Sequence, residues 1–173
     1  MSLGPILVTG GAGYIGAHTV AVFQQAGHPV VVFDNLCNSS ADVIERIARI
    51  TGLAPTLVRG DIRDPLALQS LFAAHRFHGI VHLAGLKAVG ESTQNPLLYD
   101  DNNVHGSMRL LRAALDHGVH RLVFSSSATV YGDPLYLPYD EAHPAHTQTN
   151  PYGRTKRAVE LMLHDAQRRS EEH

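Results

Sequence analysis

The sequence predicts an α/β protein, a doubly wound parallel sheet of about five strands with helices on both faces. Three observations carry this. Short apolar runs alternate with segments whose apolar residues recur at helical spacing, and that alternation implies parallel pairing through right-handed crossovers. The first run, Ile6-Leu7-Val8-Thr9, ends in Gly10-Gly11-Ala12-Gly13-Tyr14-Ile15-Gly16, which opens the next helical segment. The polar clusters follow the apolar runs, where the ligand loops of such sheets lie.

The glycine stretch reads as strand, tight turn and helix N-terminus. Its spacing fits both G-x-G-x-x-G (Gly11, Gly13, Gly16) and T-G-x-x-G-x-x-G (Thr9, Gly10, Gly13, Gly16). Glycine serves two needs there. The turn requires backbone angles that a Cβ resists, and a pyrophosphate must approach the main chain closely. The free N–H groups and positive end of the following helix then face the phosphates. That helix is expected over residues 14–26, with Gly27 as its left-handed stop. The next apolar run, 29–33, ends in Asp34, eighteen residues beyond Gly16. A carboxylate at this point reads the adenine ribose hydroxyls. It would repel the 2′-phosphate of NADP, so the expected cofactor is NAD, and no arginine lies near Asp34 in the sequence to reverse that choice. The polar loop of Asn35, Leu36, Cys37, Asn38 and Ser39 falls beside the adenosine half.

A second helix is expected over 41–50, carrying Val43, Ile44, Ile47 and Ile50 and ending before Gly52. A third strand, 55–58, leads to Gly60-Asp61-Ile62. Asp64-Pro65 then starts a helix over 66–75, with Asp64 as N-cap and proline at the first helical position. The fourth strand, 79–83, runs into Ala84-Gly85-Leu86-Lys87. A long helix is expected over 96–117, stopped by Gly118. The fifth strand, 120–124, runs into Ser125-Ser126-Ser127-Ala128-Thr129-Val130-Tyr131-Gly132. A loop rich in proline and histidine crosses 133–149, and Asn150-Pro151 begins the last helix.

The 173 residues suit one domain, and the fold is of the dinucleotide-binding, Rossmann-like kind. A formal charge of −2 gives no reason to expect nucleic acid or an anionic membrane as partner. No run reaches the ~18 apolar residues of a membrane span. The N-terminus lacks the charged start, apolar middle and cleavage site of a signal peptide. The single cysteine, Cys37, excludes an internal disulfide and is consistent with a reducing cytoplasm. Twelve histidines show no metal-ligand spacing, so no metal is expected; they read mainly as surface or polar-rim residues.

Tyr152 and Lys156 lie four apart, hence on one helix face. A neighbouring ammonium and an oxidised nicotinamide favour a phenolate, making Tyr152 a general base. Ser127, at a strand end, can hydrogen-bond the same substrate oxygen. A lone Y-x-x-x-K recurs by chance on ordinary helices. Following a nucleotide fingerprint and a serine cluster, it reads as a site.

Thr9-Gly10-x-x-Gly13-x-x-Gly16 with Tyr152-x-x-x-Lys156 resembles the extended short-chain dehydrogenase/reductase superfamily. Asp34-Asn35-Leu36-Cys37-Asn38-Ser39, Ala84-Gly85-Leu86-Lys87-Ala88-Val89-Gly90-Glu91-Ser92 and Ser125-Ser126-Ser127-Ala128-Thr129-Val130-Tyr131-Gly132 narrow the resemblance to its UDP-glucose 4-epimerase family. The resemblance implies adenosine-side contacts at Asp34, Asn35, Asn38 and Ser39, and an adenine pocket at Asp61 and Ile62. It implies further NAD contacts at Gly10, Gly13, Tyr14, Ile15 and Gly16, then at Leu83, Ala84, Gly85 and Lys87, and at Asn102, Ser125, Tyr152 and Lys156. Ser127, Tyr152 and Lys156 match the catalytic residues; Lys87, Ser127, Ala128, Thr129 and Tyr152 match substrate contacts.

The implied reaction interconverts UDP-glucose and UDP-galactose by transient oxidation at sugar C4 with tightly bound NAD, as in galactose metabolism. Sister enzymes that eliminate water or decarboxylate usually carry an acid just after the catalytic Ser/Thr. Ala128 and Thr129 occupy that place here, which argues against a dehydratase. The resemblance implies a homodimer in the full-length form, through helices near 96–117 and 152–169 with Leu110, Leu111, Val159 and Met162 in contact. Family members continue past His173 with another strand and a substrate domain. The chain is therefore expected to be an N-terminal portion, weakly active or inactive alone, with an unpaired strand edge; the alternative readings are an inactive NAD-binding fragment and another nucleotide-sugar epimerase or dehydratase of the same superfamily.

Overall fold

The computed structural model describes residues 4–145 and 147–171. Their elements in order are β1 (Ile6–Thr9), α1 (Tyr14–Gln25), β2 (Val30–Asp34), α2 (Asp42–Thr51), β3 (Thr56–Arg59), α3 (Pro65–Ala74) and β4 (Gly79–His82). There follow α4 (Val89–Gln94), α5 (Pro96–Tyr99), a π-helical segment (Asp100–His105), α6 (Gly106–Asp116), β5 (Leu122–Phe124), a 3-10 turn (Ala128–Tyr131) and α7 (Pro151–Glu171). The strands form one all-parallel sheet in the order β3-β2-β1-β4-β5. The order reverses between β1 and β4, and in such sheets ligands bind outside the strand ends at that switch point.

Two compact units are distinguished, Met1–Ala84 with Arg109–Ser125 and Gly85–Met108 with Ser126–His173. The first unit holds the sheet. Its core shows why strands buried on both faces are apolar throughout. Alternate residues point to opposite faces. Leu7, Val31 and Phe33 face Leu68, Leu71 and Phe72 of α3 and Leu110 and Ala114 of α6. Ile6, Val8, Val30 and Val32 face Val20 of α1 and Ile47 of α2. Helices thus cover both faces, as expected. Asp64 caps α3 as the sequence predicts: its carboxylate accepts from the N–H groups of Leu66 (2.9 Å) and Ala67 (3.2 Å). Gly27, Gly52 and Gly118 take the left-handed angles their stop positions require.

The second unit departs from the sequence reading in two places. The segment expected as a strand-end loop carries α4, and the long helix over 96–117 is interrupted by the π-helical segment. The wider π turn buries two consecutive asparagines, Asn102 and Asn103, and such segments recur at functional sites. Elsewhere Ile50, expected on the apolar face of α2, is exposed, because the helix packs through Ile47. Leu110 and Val159, expected at a contact between subunits, are buried inside this chain and have no surface to offer a partner. Two histidines, His82 and His143, are buried rather than on a polar rim; His146 lies outside the described residues. Among the described residues no helix is long and apolar enough to cross a membrane.

Candidate functional site

In the first unit, the chain leaves β1 through a turn that only glycine permits at two points. Gly10 has φ 68°, and a Cβ on it would lie 2.7 Å from the Ala84 nitrogen. A Cβ on Gly16 would lie 2.1 Å from the Gly10 carbonyl oxygen. These two glycines build the turn. Gly13 differs: a Cβ there would meet only the Gly10 carbonyl, at 3.3 Å. It stands at the start of α1, which has no side-chain cap and no acid in its first turn. The first N–H groups of a helix lack intrahelical partners, so this end offers donors and partial positive charge to an anion. The Tyr14 and Ile15 side chains beside it are exposed. The turn is also fastened from below. The Thr9 hydroxyl bonds Nδ1 of buried His82 (2.7 Å) and accepts from the Ala84 N–H (3.4 Å), while the Leu83 N–H donates to the Thr9 carbonyl (3.1 Å). The Ser125 N–H donates to the His82 carbonyl at 3.1 Å.

Asp34 is buried at the end of β2. Its Oδ2 accepts from the Ala12 N–H (3.0 Å); its Oδ1 accepts from the Leu36 N–H (2.8 Å) and the Ser39 hydroxyl (3.1 Å). One carboxylate therefore ties the glycine turn to the loop after β2. A carboxylate has about four lone-pair sites, which leaves capacity for one further donor. Asn35 holds the same loop: its Oδ1 accepts from the Cys37 N–H (3.1 Å) and its Nδ2 donates to Asp61 (3.0 Å). Cys37 and Asn38 are exposed. Asp61 is gripped by Arg63, whose Nε and Nη2 donate to its two oxygens at 3.0 and 2.8 Å. Hydrogen bonding to Arg63 holds the Asp61 carboxyl well below the usual carboxylate range. Folding thus brings Arg59 beside Asp34 and ties Arg63 to the neighbouring loop, which sequence distance hid. Arg59 sits opposite Asp34 in the β2–β3 register, and Arg63 is reached through Asn35 and Asp61. The Ile62 side chain is committed to the core, so only its main chain can line a pocket.

In the second unit, α7 presents Tyr152 and Lys156 one turn apart, both buried. Lys156 Nζ lies 5.9 Å from the Tyr152 ring centroid. Burial pushes the Lys156 ammonium down to about 8. Gly85 lies beside it and lets Asn103 approach: a Cβ there would lie 3.2 Å from Asn103 Oδ1 and in ordinary contact, 3.8 Å, with Nζ. Several residues that sequence reasoning passed over hold this helix. The Tyr152 N–H donates to the hydroxyl of buried Ser92 (3.2 Å). Asn103 accepts from the Leu86 N–H (2.8 Å) and donates to the Leu86 carbonyl (2.9 Å) and to Thr155 Oγ1 (3.1 Å). Asn102 is buried beside it on the π segment and shares none of those bonds. The Tyr99 ring meets Tyr152 edge-on, 6.4 Å between centroids. Burial, and then its hydrogen bond to Glu91, push the Tyr99 phenol up to about 12, so it stays protonated and structural. No local pattern marks these residues; they act through contacts distant in sequence.

Ser127 begins the 3-10 turn. Its Oγ accepts from the Thr129 N–H (3.2 Å) and the Thr129 hydroxyl (3.0 Å), which leaves its own proton for another acceptor. Ala128 and Lys87 are exposed and Thr129 half-buried. The turn contains no acidic residue. The preceding Ser126 donates to Glu160 of α7 at 2.5 Å, and Arg157 holds that carboxylate at 3.0 Å. Among the described residues no three histidine, cysteine or acidic side chains gather as a metal site.

A five-stranded all-parallel sheet with helices on both faces and a glycine turn after its first strand define an α/β protein of the Rossmann-like type. Residues 6–171 match the model of the NAD dependent epimerase/dehydratase family, and the chain belongs to that family. Among its relatives, the UDP-glucose 4-epimerase of Yersinia pestis is 52% identical over 162 residues, covering 94% of this chain and 48% of the relative. That of Mus musculus is 51% identical over 166 residues, covering 92% and 48%. The solved UDP-glucose-4-epimerase of Stenotrophomonas maltophila, with bound NAD and formylated UDP-arabinopyranose, has a TM-score of 0.90 at 52% identity, covering 94% of this chain and 48% of that one. The enzyme of Bifidobacterium longum, in complex with NAD+ and UDP, has a TM-score of 0.92 at 43% identity, with the same coverage. The chain spans about half the length of these relatives.

Proposed function

We propose that this chain carries the cofactor-binding and proton-transfer residues of a UDP-glucose 4-epimerase, with UDP-glucose and UDP-galactose as substrates and NAD as a bound cofactor. The observation that supports this most is the buried Tyr152–Lys156 pair, in a chain half of whose sequence is shared with enzymes of that name. The uncapped start of α1, with the bare main chain at Gly13, fits a pyrophosphate, and Asp34 fits ribose hydroxyls. NAD, when bound, supplies a hydride acceptor and donor for sugar C4. Tyr152 removes the proton from the sugar 4-hydroxyl and later returns one. The Lys156 charge attracts the negative charge that develops on the Tyr152 oxygen, an effect that fades as pH rises past about 8 and Lys156 loses its proton. Ser127 donates its proton to the sugar oxygen and holds it in line. The turn after Ser127 offers no acid for eliminating water, which favours epimerisation over dehydration.

The test is turnover. Residues 1–173 are supplied with NAD and UDP-galactose, and UDP-glucose is followed, beside a chimera in which the second half of the Yersinia pestis relative continues the chain. The chimera is expected to be active. Residues 1–173 alone are expected to be far slower, since substrate orientation can supply as much as ~7–11 kcal/mol and the relatives are about twice as long as this chain. An inactive but folded chimera would sink the proposal.

Cofactor choice gives a second test. NAD is expected to bind well ahead of NADP, because the Asp34 carboxylate would repel an added 2′-phosphate and Arg63 is already paired with Asp61. Asp34→Asn should weaken NAD binding by on the order of 1.5–3 kcal/mol, the worth of a hydrogen bond to a charged group. Calorimetric titration with both cofactors decides it; equal affinity of the unmodified chain for NADP would refute the assignment.

A further inference from the structure

The segment between the 3-10 turn and α7 is anchored by one side chain. Residues 133–142 are all exposed, and His143 is the first buried one after them. Its imidazole packs against three tyrosine rings: Tyr136 at 4.6 Å, Tyr139 at 4.9 Å and Tyr131 at 5.2 Å between centroids. Its two nitrogens have different partners. Nε2 accepts from the Leu135 N–H at 3.1 Å, and Nδ1 lies 3.1 Å from the Pro144 carbonyl oxygen. A backbone N–H can only donate and a carbonyl can only accept. The ring is therefore neutral, with its proton on Nδ1.

This anchored segment is fastened to the turn that holds Ser127 and Thr129. Tyr131 and Tyr139 stack at 5.0 Å. The Tyr139 hydroxyl donates to the Gly132 carbonyl at 3.2 Å, and Gln148 Nε2 donates to the Val130 carbonyl at 2.8 Å. Gly132 has φ 66°, and a Cβ on it would lie 1.8 Å from the Thr147 carbonyl oxygen, so the chain crosses itself there at backbone contact. Among the described residues the acid bonded near the imidazole is Asp140. Its carboxylate takes the Tyr136 hydroxyl (2.8 Å) and the Ala142 N–H (3.1 Å), and its carbonyl takes the His143 N–H (3.1 Å).

We infer that neutral His143 is a positioning residue, the lock that holds the Ser127–Tyr131 turn in place through residues 133–145, and that protonation releases it. A second proton on the ring would remove the lone pair that takes the Leu135 N–H and set two N–H groups against each other. The lock is therefore closed at high pH and opens as pH falls. Its meaning for catalysis rests on the function proposed above. Its physical content does not, so the test uses neither cofactor nor sugar.

The chain has no tryptophan and six tyrosines, three of which touch His143, so the near-ultraviolet circular dichroism of residues 1–173 reports on this cluster. Between about pH 8 and about pH 5.5 that signal should fall by roughly half as tyrosine packing loosens. Amide protection factors at Val130 and Gly132, whose N–H groups bond Ser127 and Thr129 carbonyls, should fall about tenfold over the same range as the turn opens, once the intrinsic pH dependence of exchange is divided out. His143→Gln places a carbonyl oxygen where Nε2 accepts, without a titrating proton; it should hold the turn at both pH values. His143→Phe keeps a ring but neither bond, and should leave the turn open at both. His18, which touches the Tyr14 ring, gives a background common to all three proteins. A signal that stays flat in the unmodified chain, or that moves equally in all three, overturns the inference. An active Tyr152→Phe chimera overturns only the catalytic reading and leaves the lock standing.

Discussion

Tyr152→Phe is expected to leave the fold intact and to remove most epimerisation in the chimera, by roughly 10²–10⁴-fold, the usual worth of a general base. The phenyl ring keeps its edge-on contact with Tyr99 and its place beside Lys156. Among the described residues no protein group hydrogen-bonds the Tyr152 hydroxyl; the bonds of this residue run through its main chain, to Ser92 and Thr155. Removing the oxygen therefore strands no buried partner, and the stability cost should stay within about 1 kcal/mol. Initial rates with UDP-galactose, beside thermal melts, separate the two effects. A variant that melts normally and turns over within threefold of the parent would place the base elsewhere.

Lys156→Met is expected to do the opposite to stability: the variant should be more stable than the parent near neutral pH while losing activity. Burial lowers the Lys156 ammonium from its ordinary 10.5 to about 8. Below pH 8 both the native and unfolded chains carry this proton, and the native chain holds it at a net cost. Between about 8 and 10.5 the unfolded chain still holds the proton and the native chain has released it, so the parent gains stability as pH rises through that window. A gap of about 2.5 pKa units corresponds to on the order of 3 kcal/mol. Methionine fills a similar volume without the charge. Urea unfolding at pH 7 should favour Lys156→Met by roughly 1–3 kcal/mol, and the advantage should shrink by pH 10 as the parent recovers. Groups elsewhere titrate equally in both proteins and cancel. A variant less stable than its parent at both pH values would show that Lys156 is held for structure. A charge retained at this cost is what a functional residue looks like, since most stabilising substitutions at such sites lose activity.

What could be read from the sequence was local. The turn from β1 to α1 depends on residues within one stretch, Gly10 to Gly16, and the stop positions of Gly27, Gly52 and Gly118 on backbone angles that glycine alone takes cheaply. Asp64-Pro65 caps α3 through bonds spanning three residues. The five parallel strands and the two helical layers follow from periodicity, because burial on both faces demands unbroken apolar runs and burial on one demands a stripe. Tyr152 and Lys156 share a face by spacing alone. What the sequence hid depends on partners far away along the chain. The π segment that buries Asn102 and Asn103 is set by Leu86 and Thr155, seventeen and fifty-two residues from Asn103, and no run of composition encodes it. Leu110 and Val159 read as interface residues until packing covered them. Arg59 came beside Asp34 only when β2 and β3 paired, and Arg63 was tied to the neighbouring loop only when Asp61 met Asn35. His143 passed for one surface histidine among twelve; three tyrosine rings and two backbone partners assign its tautomer. Periodicity records which face is apolar. Long-range contact alone decides which polar group meets which, because a hydrogen bond depends on angles and tenths of an ångström that spacing does not carry.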